Sequence, residues 1–433
     1  MTAREAAFRT MVACEKQDAW ADGFLKRTLN EGKLDAREAA LATRLTFGVT
    51  QNRMLLDWYL DRFAKGKLDL NVRTALRLGA YQMLFLTRVP VSAAVNESVK
   101  LTRKFSKNPG AAGLVNAILR NLERNMQDLT PPEDLSIRYS HPRWLVDVFT
   151  QRLGAEGARA LLACHNGEVP AMAQVNTCRA SARQVLEELT SAGVEAELHP
   201  WLDNCLTLRG TGSLEQLAAF QKGEFYIQDA AARLAVQAAD PKPGMRVLDV
   251  CAAPGGKSFA AAIAMEDRGE IISCDIHPHK QALIENGARR LGLNSIRAVT
   301  QNGKERVPEW EGAFDLVITD VPCSGLGIIR KKPDIRYKDP APLAGLPAIQ
   351  RSILDNASAY VKPGGVLLYS TCTLLERENE DVVNGFLEKH PDFTLEKLEL
   401  PAPIGRVEEG HVTLWPHIHG TDGFFIAKLR RRT

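Results

Sequence analysis

Apolar positions recur at helical spacing through the first third of the chain. Leu41, Leu45 and Val49 lie four apart, as do Leu76, Ala80 and Leu84, and Val115, Leu119 and Leu122 continue the pattern. Thr2-Ala3-Arg4-Glu5 and Asp35-Ala36-Arg37-Glu38 each set a capping side chain three residues before a glutamate, so a capping box is expected at both. No strand-like run interrupts residues 1–128, and the prolines of Thr130-Pro131-Pro132 stop any helix. An all-α domain is predicted over 1–129.

Residues 130–229 read as a small α/β connecting domain. Helices are expected around Arg143–Arg152, Ala155–Ala163 and Ala182–Ala192, and strands at Ala171–Asn176 and Cys205–Arg209. From residue 230 to 433 short apolar runs alternate with helical stretches. The predicted strands are Arg246–Val250, Ile271–Asp275, Ile296–Thr300, Phe314–Asp320, Val366–Thr371 and Phe424–Leu429. The predicted helices are Lys257–Ala264, Pro278–Leu291, Ala344–Tyr360 and Glu376–Glu388. Alternation of this kind means a doubly wound, mostly parallel sheet, whose ligands lie beyond the carboxyl ends of the strands. The last strand follows a loop rich in Pro, His and Gly rather than a crossover helix, so it is expected to run antiparallel.

Composition narrows this picture in three ways. With 45 % apolar and 25 % charged residues in 433, the chain reads as globular, and no apolar stretch is long enough for a membrane span. The first residues carry charge and no apolar segment of the kind that directs secretion, and the eight cysteines show no C-x-x-C pair. A reducing cytoplasm is therefore expected, without a disulfide framework or metal. His411, His417 and His419 lack the acid or cysteine spacing a metal site needs. The net charge of +3 is unevenly placed, because residues 1–140 hold 22 basic against 15 acidic side chains. Between Glu97 and Glu123 lie Lys100, Arg103, Lys104, Lys107 and Arg120 with no acid among them, which suits a polyanion or simply a solvated helix face.

The first predicted strand of the sheet runs into Cys251-Ala252-Ala253-Pro254-Gly255-Gly256-Lys257-Ser258. This is neither a Walker A loop, since Cys251 stands where that motif has glycine, nor the dinucleotide fingerprint. It still permits a tight turn, a close backbone approach and a helix N-terminus that receives a carboxylate. Asp275 ends the next strand and is able to accept from ribose hydroxyls, while Asn302 follows the third strand near an adenine edge. An aminoacyl carboxylate joined to adenosine fits this set, which points to S-adenosylmethionine (SAM) over NAD or ATP.

Two cysteines fall at the ends of neighbouring strands, in Asp320-Val321-Pro322-Cys323-Ser324 and Ser370-Thr371-Cys372-Thr373. A lone cysteine is usually a small buried hydrophobe. Two over one ligand crevice suggest chemistry instead. C5 of cytosine is a poor nucleophile until a thiolate adds at C6, and the attacking sulfur must be ionised. Asp320 is placed to hold the base.

These residues resemble motifs I, IV and VI of the RNA 5-methylcytosine methyltransferase family, and Asp422-Gly423-Phe424-Phe425 resembles its last strand. The resemblance implies a class I SAM-dependent methyltransferase domain. It implies Cys372 as nucleophile, Cys323 as the group assisting adduct breakdown, and Asp320 on the cytosine or cofactor. Cofactor contacts carry over to Cys251, Ala252, Ala253, Pro254, Gly255, Gly256, Lys257, Asp275, Asn302 and Asp320, although the family has Asp where this chain has Asn302. DNA cytosine methyltransferases use the motif IV cysteine, so Cys372 favours RNA. Leu76–Leu84, Ala94–Glu97 and Leu114–Arg120 resemble the NusB-type RNA-binding domain. Its fusion to this catalytic domain is similar to the bacterial Sun/Fmu (RsmB) group, which methylates one cytosine of small-subunit (16S) ribosomal RNA.

The expectation is a cytoplasmic, monomeric RNA methyltransferase that binds neither DNA nor membrane. The alternatives are a tRNA cytosine-C5 methyltransferase and a non-catalytic RNA-binding factor of antitermination type. Arg330-Lys331-Lys332, just after the Cys323 loop at the crevice, is expected to face RNA phosphates, whereas Lys428, Arg430, Arg431 and Arg432 fit an RNA surface or, more simply, solubility.

Overall fold

The structure, a computed structural model, describes residues 1–433. It divides into two compact units: Met1–Glu168 with Ile329–Lys338, and Val169–Ile328 with Asp339–Thr433.

The first unit is helical. Its helices are α1 (Ala3–Gln17), α2 (Ala21–Gly32), α3 (Ala36–Gln51), α4 (Arg53–Asp61), α5 (Leu70–Phe85), α6 (Val91–Phe105), α7 (Ala111–Arg124), α8 (Leu135–Arg138) and α9 (Arg143–His165). Leu45, Val49, Leu76, Ala80, Val115, Leu119 and Leu122 are all buried in one core, as their spacing predicts. Each large apolar side chain there contributes on the order of 1.5–3 kcal/mol by leaving water. The capping box at Thr2 forms, with Glu5 N donating to Thr2 and Thr2 N to Glu5. Asp35 caps α3 through Glu38 N, but the Glu38 carboxylate accepts from Ala3 N at 2.7 Å and ties α3 to the start of α1. The two helices expected over 143–163 run on as α9, interrupted only where Gly154 leaves helical geometry (φ 68°, ψ 174°).

The second unit begins with a four-stranded antiparallel sheet. Its strands β1 (Ala171–Val175), β2 (Glu195–Leu198), β3 (Cys205–Arg209) and β4 (Phe225–Ile227) run in the order β2-β3-β1-β4. One face packs on α10 (Ala182–Ser191) and α11 (Ala218–Gln221) through Val175, Leu206, Phe225 and Leu189. β2 and β4 escaped the sequence pattern because Glu-Ala-Glu-Leu and Phe-Tyr-Ile are too short for periodicity to register.

The larger sheet holds β5 (Arg246–Asp249), β6 (Glu270–Asp275), β7 (Ile296–Thr300), β8 (Phe314–Asp320), β9 (Val361–Thr371) and β10 (Phe393–Leu395). A two-residue pair, β11 (Leu398–Glu399) with β12 (Arg406–Val407), stands apart from it. β13 (His411–Leu414) and β14 (Phe424–Arg431) complete the set. The order is β10-β14-β9-β8-β5-β6-β7, with β5 to β9 parallel and β14 antiparallel to β9, β10 and β13. Alternate residues bury on opposite faces. Val247, Ile271 and Leu316 pack with α12 (Ala230–Ala239), α13 (Gly256–Ala264) and α14 (Pro278–Leu291), whereas Leu248, Ile272 and Val317 pack with α15 (Leu346–Ser358) and α16 (Glu380–Lys389). Burial on both faces explains why these strands read as continuous apolar runs. A parallel sheet closed by one antiparallel strand beside β9 is the class I SAM methyltransferase arrangement the sequence implied.

Candidate active site

Strand pairing brings the predicted residues to one edge of the sheet. Val250 N donates to Ile318 O and Ala252 N to Cys274 O, so the turn after β5 is stitched to the ends of β8 and β6. At Gly255 the chain turns through φ 113°, and a Cβ there would lie 2.4 Å from the Phe259 ring. Only glycine fits. No side chain caps α13, which leaves its first-turn N–H groups for a ligand. Asp275 ends β6, and Ile276 beside it is apolar yet 53 % exposed. An exposed branched side chain next to an acid at a strand end suits an adenosine moiety. Behind the loop, Asp249 accepts from Ser258 Oγ (2.7 Å) and keeps its other carboxylate oxygen buried without a partner. Burial pushes the Asp249 carboxyl up to about 7. These features fit a SAM-sized ligand. Asn302 sits in its own turn, donating to Glu305 and accepting from Lys304 N.

Lys257 Nζ lies 2.6 Å from Asp320 Oδ2, and Ser370 Oγ donates to Asp320 Oδ1 at 2.9 Å. One carboxylate thus joins the glycine-rich turn, the end of β8 and the end of β9. Beyond it the Sγ atoms of Cys323 and Cys372 are 3.3 Å apart. The hydrogen bond with Cys372, and then burial, holds the Cys323 thiol well above the ordinary thiol range. Burial pushes the Cys274 thiol up to about 12 and Cys251 higher still, so neither is suited to attack.

Several residues that build this site carried no sequence signal. Glu378 is fully buried, accepts from Ser324 N (2.9 Å) and Gln350 Nε2 (2.8 Å), and Gln350 also donates to Pro322 O. Thr371 donates to Asn379, whose amide donates back to Thr373 O. Gly327 N donates to Cys372 O and Gly327 O accepts from Gly423 N, both at 2.9 Å. Glu378 and Asn379 lie where the start of a helix over Glu376–Glu388 was expected, and no apolar period marks them.

The basic residues are corrected in part. Arg330 is buried, whereas Lys332 is exposed. Lys428 and Arg430 pair with Glu396, and Arg431 with Asp392, so these three brace β14 rather than offering free charge. In the helical unit Lys100, Lys104 and Arg120 pair with Glu97, Glu5 and Glu123, and Arg103 and Lys107 stay exposed. His419 accepts from Trp415 N, and no cluster of three or more metal-ligating side chains occurs.

A doubly wound sheet with this strand order, a glycine turn at its first strand and an acid ending its second defines a SAM-dependent methyltransferase. Residues 236–430 match the family model "16S rRNA methyltransferase RsmB/F", residues 1–124 the NusB family, and residues 141–215 the RsmF/B-like ferredoxin-like domain. The chain is 36 % identical, over 99 % of its length and 98 % of the other, to the "Probable ribosomal RNA small subunit methyltransferase B" of Bacillus subtilis. It is 34 % identical over the full length of both chains to the protein of that name from Synechocystis. The crystal structure of PH0851 superposes with a TM-score of 0.81 at 26 % identity, covering 99 % of this chain and 98 % of that one. The chain belongs to the 16S rRNA methyltransferase RsmB/F family. No helix is long and apolar enough to cross a membrane.

Proposed function

We propose that the protein methylates C5 of a cytosine in 16S ribosomal RNA through a covalent cysteine adduct. The observation that carries this is the 3.3 Å approach of Cys323 and Cys372, beside a carboxylate already engaged by Lys257 and Ser370.

Cys372 adds its sulfur to C6, which shifts electron density to C5. SAM supplies the methyl group. Cys323 Sγ, 3.3 Å from Cys372 Sγ, is placed to donate to that sulfur and to stabilise charge on it during attack and again on departure. A base then takes the C5 proton, the electrons of that C–H bond re-form the C5–C6 double bond, and the C6–S bond breaks with Cys372 leaving as thiolate, a departure that Cys323 assists by donating to that sulfur. Asp320 accepts from the exocyclic amine of the base, and the first turn of α13 with Asp275 holds the cofactor. The base must leave its stack to reach both sulfurs. The reading divides the chain into an RNA-binding part at 1–129, a connecting part at 130–229 and a catalytic part at 230–433. It also makes the protein a monomer acting in the cytoplasm.

The test is a pair of denaturing gels with RNA and SAM. Cys372→Ala should abolish methyl transfer and form no adduct, while Cys323→Ala should retain RNA through denaturation. Trapping by Cys372→Ala and not by Cys323→Ala would reverse the roles. Methylation of tRNA in place of 16S rRNA would overturn the substrate.

A further inference from the structure

The chain leaves the catalytic unit after Ile328 and rejoins it at Asp339, and the intervening Ile329–Lys338 belongs to the helical unit. Within that segment Arg336 is 0 % exposed. Its guanidinium faces no carboxylate. Nη1 donates to Asn166 Oδ1 (2.9 Å) and to the carbonyls of Tyr139 (3.2 Å), Ser140 (3.3 Å) and Gln51 (3.4 Å), and Nη2 donates to His165 O (3.5 Å). Gln51 ends α3, Tyr139 caps α8, and His165 and Asn166 close α9. Three helix C-termini therefore meet on one cation. Such carbonyls lack partners inside their helices and carry partial negative charge, which offsets the cost of burying the guanidinium. Burial pulls its pKa down to about 10, so it stays cationic near neutrality.

The neighbours of Arg336 add to the anchor. Asp334 accepts from Ala21 N at 3.1 Å, Tyr337 Oη donates to Ser140 O at 2.9 Å, and Lys338 donates to Asp18 at 2.7 Å. Arg53 stacks on the Tyr337 ring at 3.6 Å. At its other end the same stretch of chain continues the Cys323 loop, which Gly327 and Ser324 pin to Cys372 and Glu378.

We propose that Arg336 is a positioning residue for methyl transfer. By clamping Ile329–Lys338 across three helix ends it restrains the Cys323 loop, and it makes the order of that loop depend on a folded helical unit. A loop held at both ends samples fewer conformations, and displacements of about 1 Å at a reacting group cost on the order of 100-fold in rate. The proposal rests on the reading of Cys323 given above.

Arg336→Lys keeps the charge but has no fork able to reach three helix ends, and Tyr337→Phe removes one anchor while keeping the ring. In the full-length protein, amide exchange at Ser324, Gly327 and Ile328 should rise about tenfold in both variants, with β5 unchanged. The kcat should fall about tenfold with SAM affinity unaltered, and an RNA adduct that survives denaturation should build up although both cysteines are present. Val115→Ala, which trims the helical core away from the clamp, should leave the loop amides as they are. Unchanged loop exchange in both clamp variants, or equal acceleration in Val115→Ala, would overturn the proposal. Faster loop exchange in Arg336→Lys with no adduct from Cys323→Ala would instead sink the release role of Cys323 and leave the clamp standing. An adduct from Cys323→Ala with no effect of either clamp variant would do the reverse.

Discussion

Lys257 Nζ and Asp320 Oδ2 lie 2.6 Å apart, which makes one ion pair the junction between the turn after β5 and the end of β8. Lys257 is nearly fully buried, and its ammonium also sits 5.0 Å from the centre of the Phe424 ring on β14. In the proposed reaction this pair orients the Asp320 carboxylate for the base and keeps an ammonium beside the developing charge.

Lys257→Met should therefore lower kcat on the order of 100-fold and change KM for RNA less, because preorganised charge acts mainly in the transition state. Asp320→Asn should do at least as much. Steady-state methyl incorporation, with SAM affinity measured by calorimetry, separates this from loss of cofactor binding.

Gly327→Ala tests the stitching of the Cys323 loop. A Cβ at Gly327 would lie 1.9 Å from Gly423 O and 2.8 Å from Cys372 O. Backbone has to move, so methyl transfer should fall about 100-fold while the unfolding temperature drops by only a few degrees. Activity near that of the unaltered protein would show the close approach to be dispensable.

Asp249 gives stability a pH dependence of definite sign. Its carboxyl is raised from 3.8 to about 7 by burial, so between those values the folded state keeps a proton that the unfolded state has lost. This contribution is fully present below pH ~4 and is lost as pH rises to about 7, at up to about 1.4 kcal/mol per pH unit. Asp249→Asn keeps an acceptor for Ser258 and should flatten the profile. Urea midpoints of the ligand-free protein across pH 4–8, read at β5 amides, supply the comparison.

Arg77 supports the helical unit alone. It is buried on α5, bonded in two-pronged fashion to Asp57 (2.8 and 2.7 Å) and to Glu15 (2.5 Å). Arg77→Met strands two partly buried carboxylates and should destabilise that unit by about 2–4 kcal/mol. Thermal unfolding should show the loss, with the SAM affinity of the catalytic unit unaltered.

Much of this was legible in the chain. The helix pattern of α3, α5 and α7, the alternation of β5 to β9 with helices, and the motifs around Gly255, Cys323 and Cys372 are local signals, set by spacing of three to four residues or by runs apolar on both faces. The antiparallel β14 followed from the missing crossover helix. Short edge elements such as β2, β4 and β10 did not show, since two to four residues hold no period.

What the sequence alone determined is the fold class and the cofactor, and it singled out two cysteines as candidates, because each depends on a motif whose residues are neighbours along the chain. Tertiary structure decided how the sulfurs and charges pair. The Lys257–Asp320 bond spans 63 residues, the two sulfurs meet across 49, and Arg336 reaches Gln51 across 285. The same folding made Lys428 and Arg430, which the sequence leaves open between an RNA surface and simple solubility, partners of Glu396. A charge written in a sequence has no direction. Which carboxylate or carbonyl meets it depends on packing of apolar faces that lie far from it in the chain.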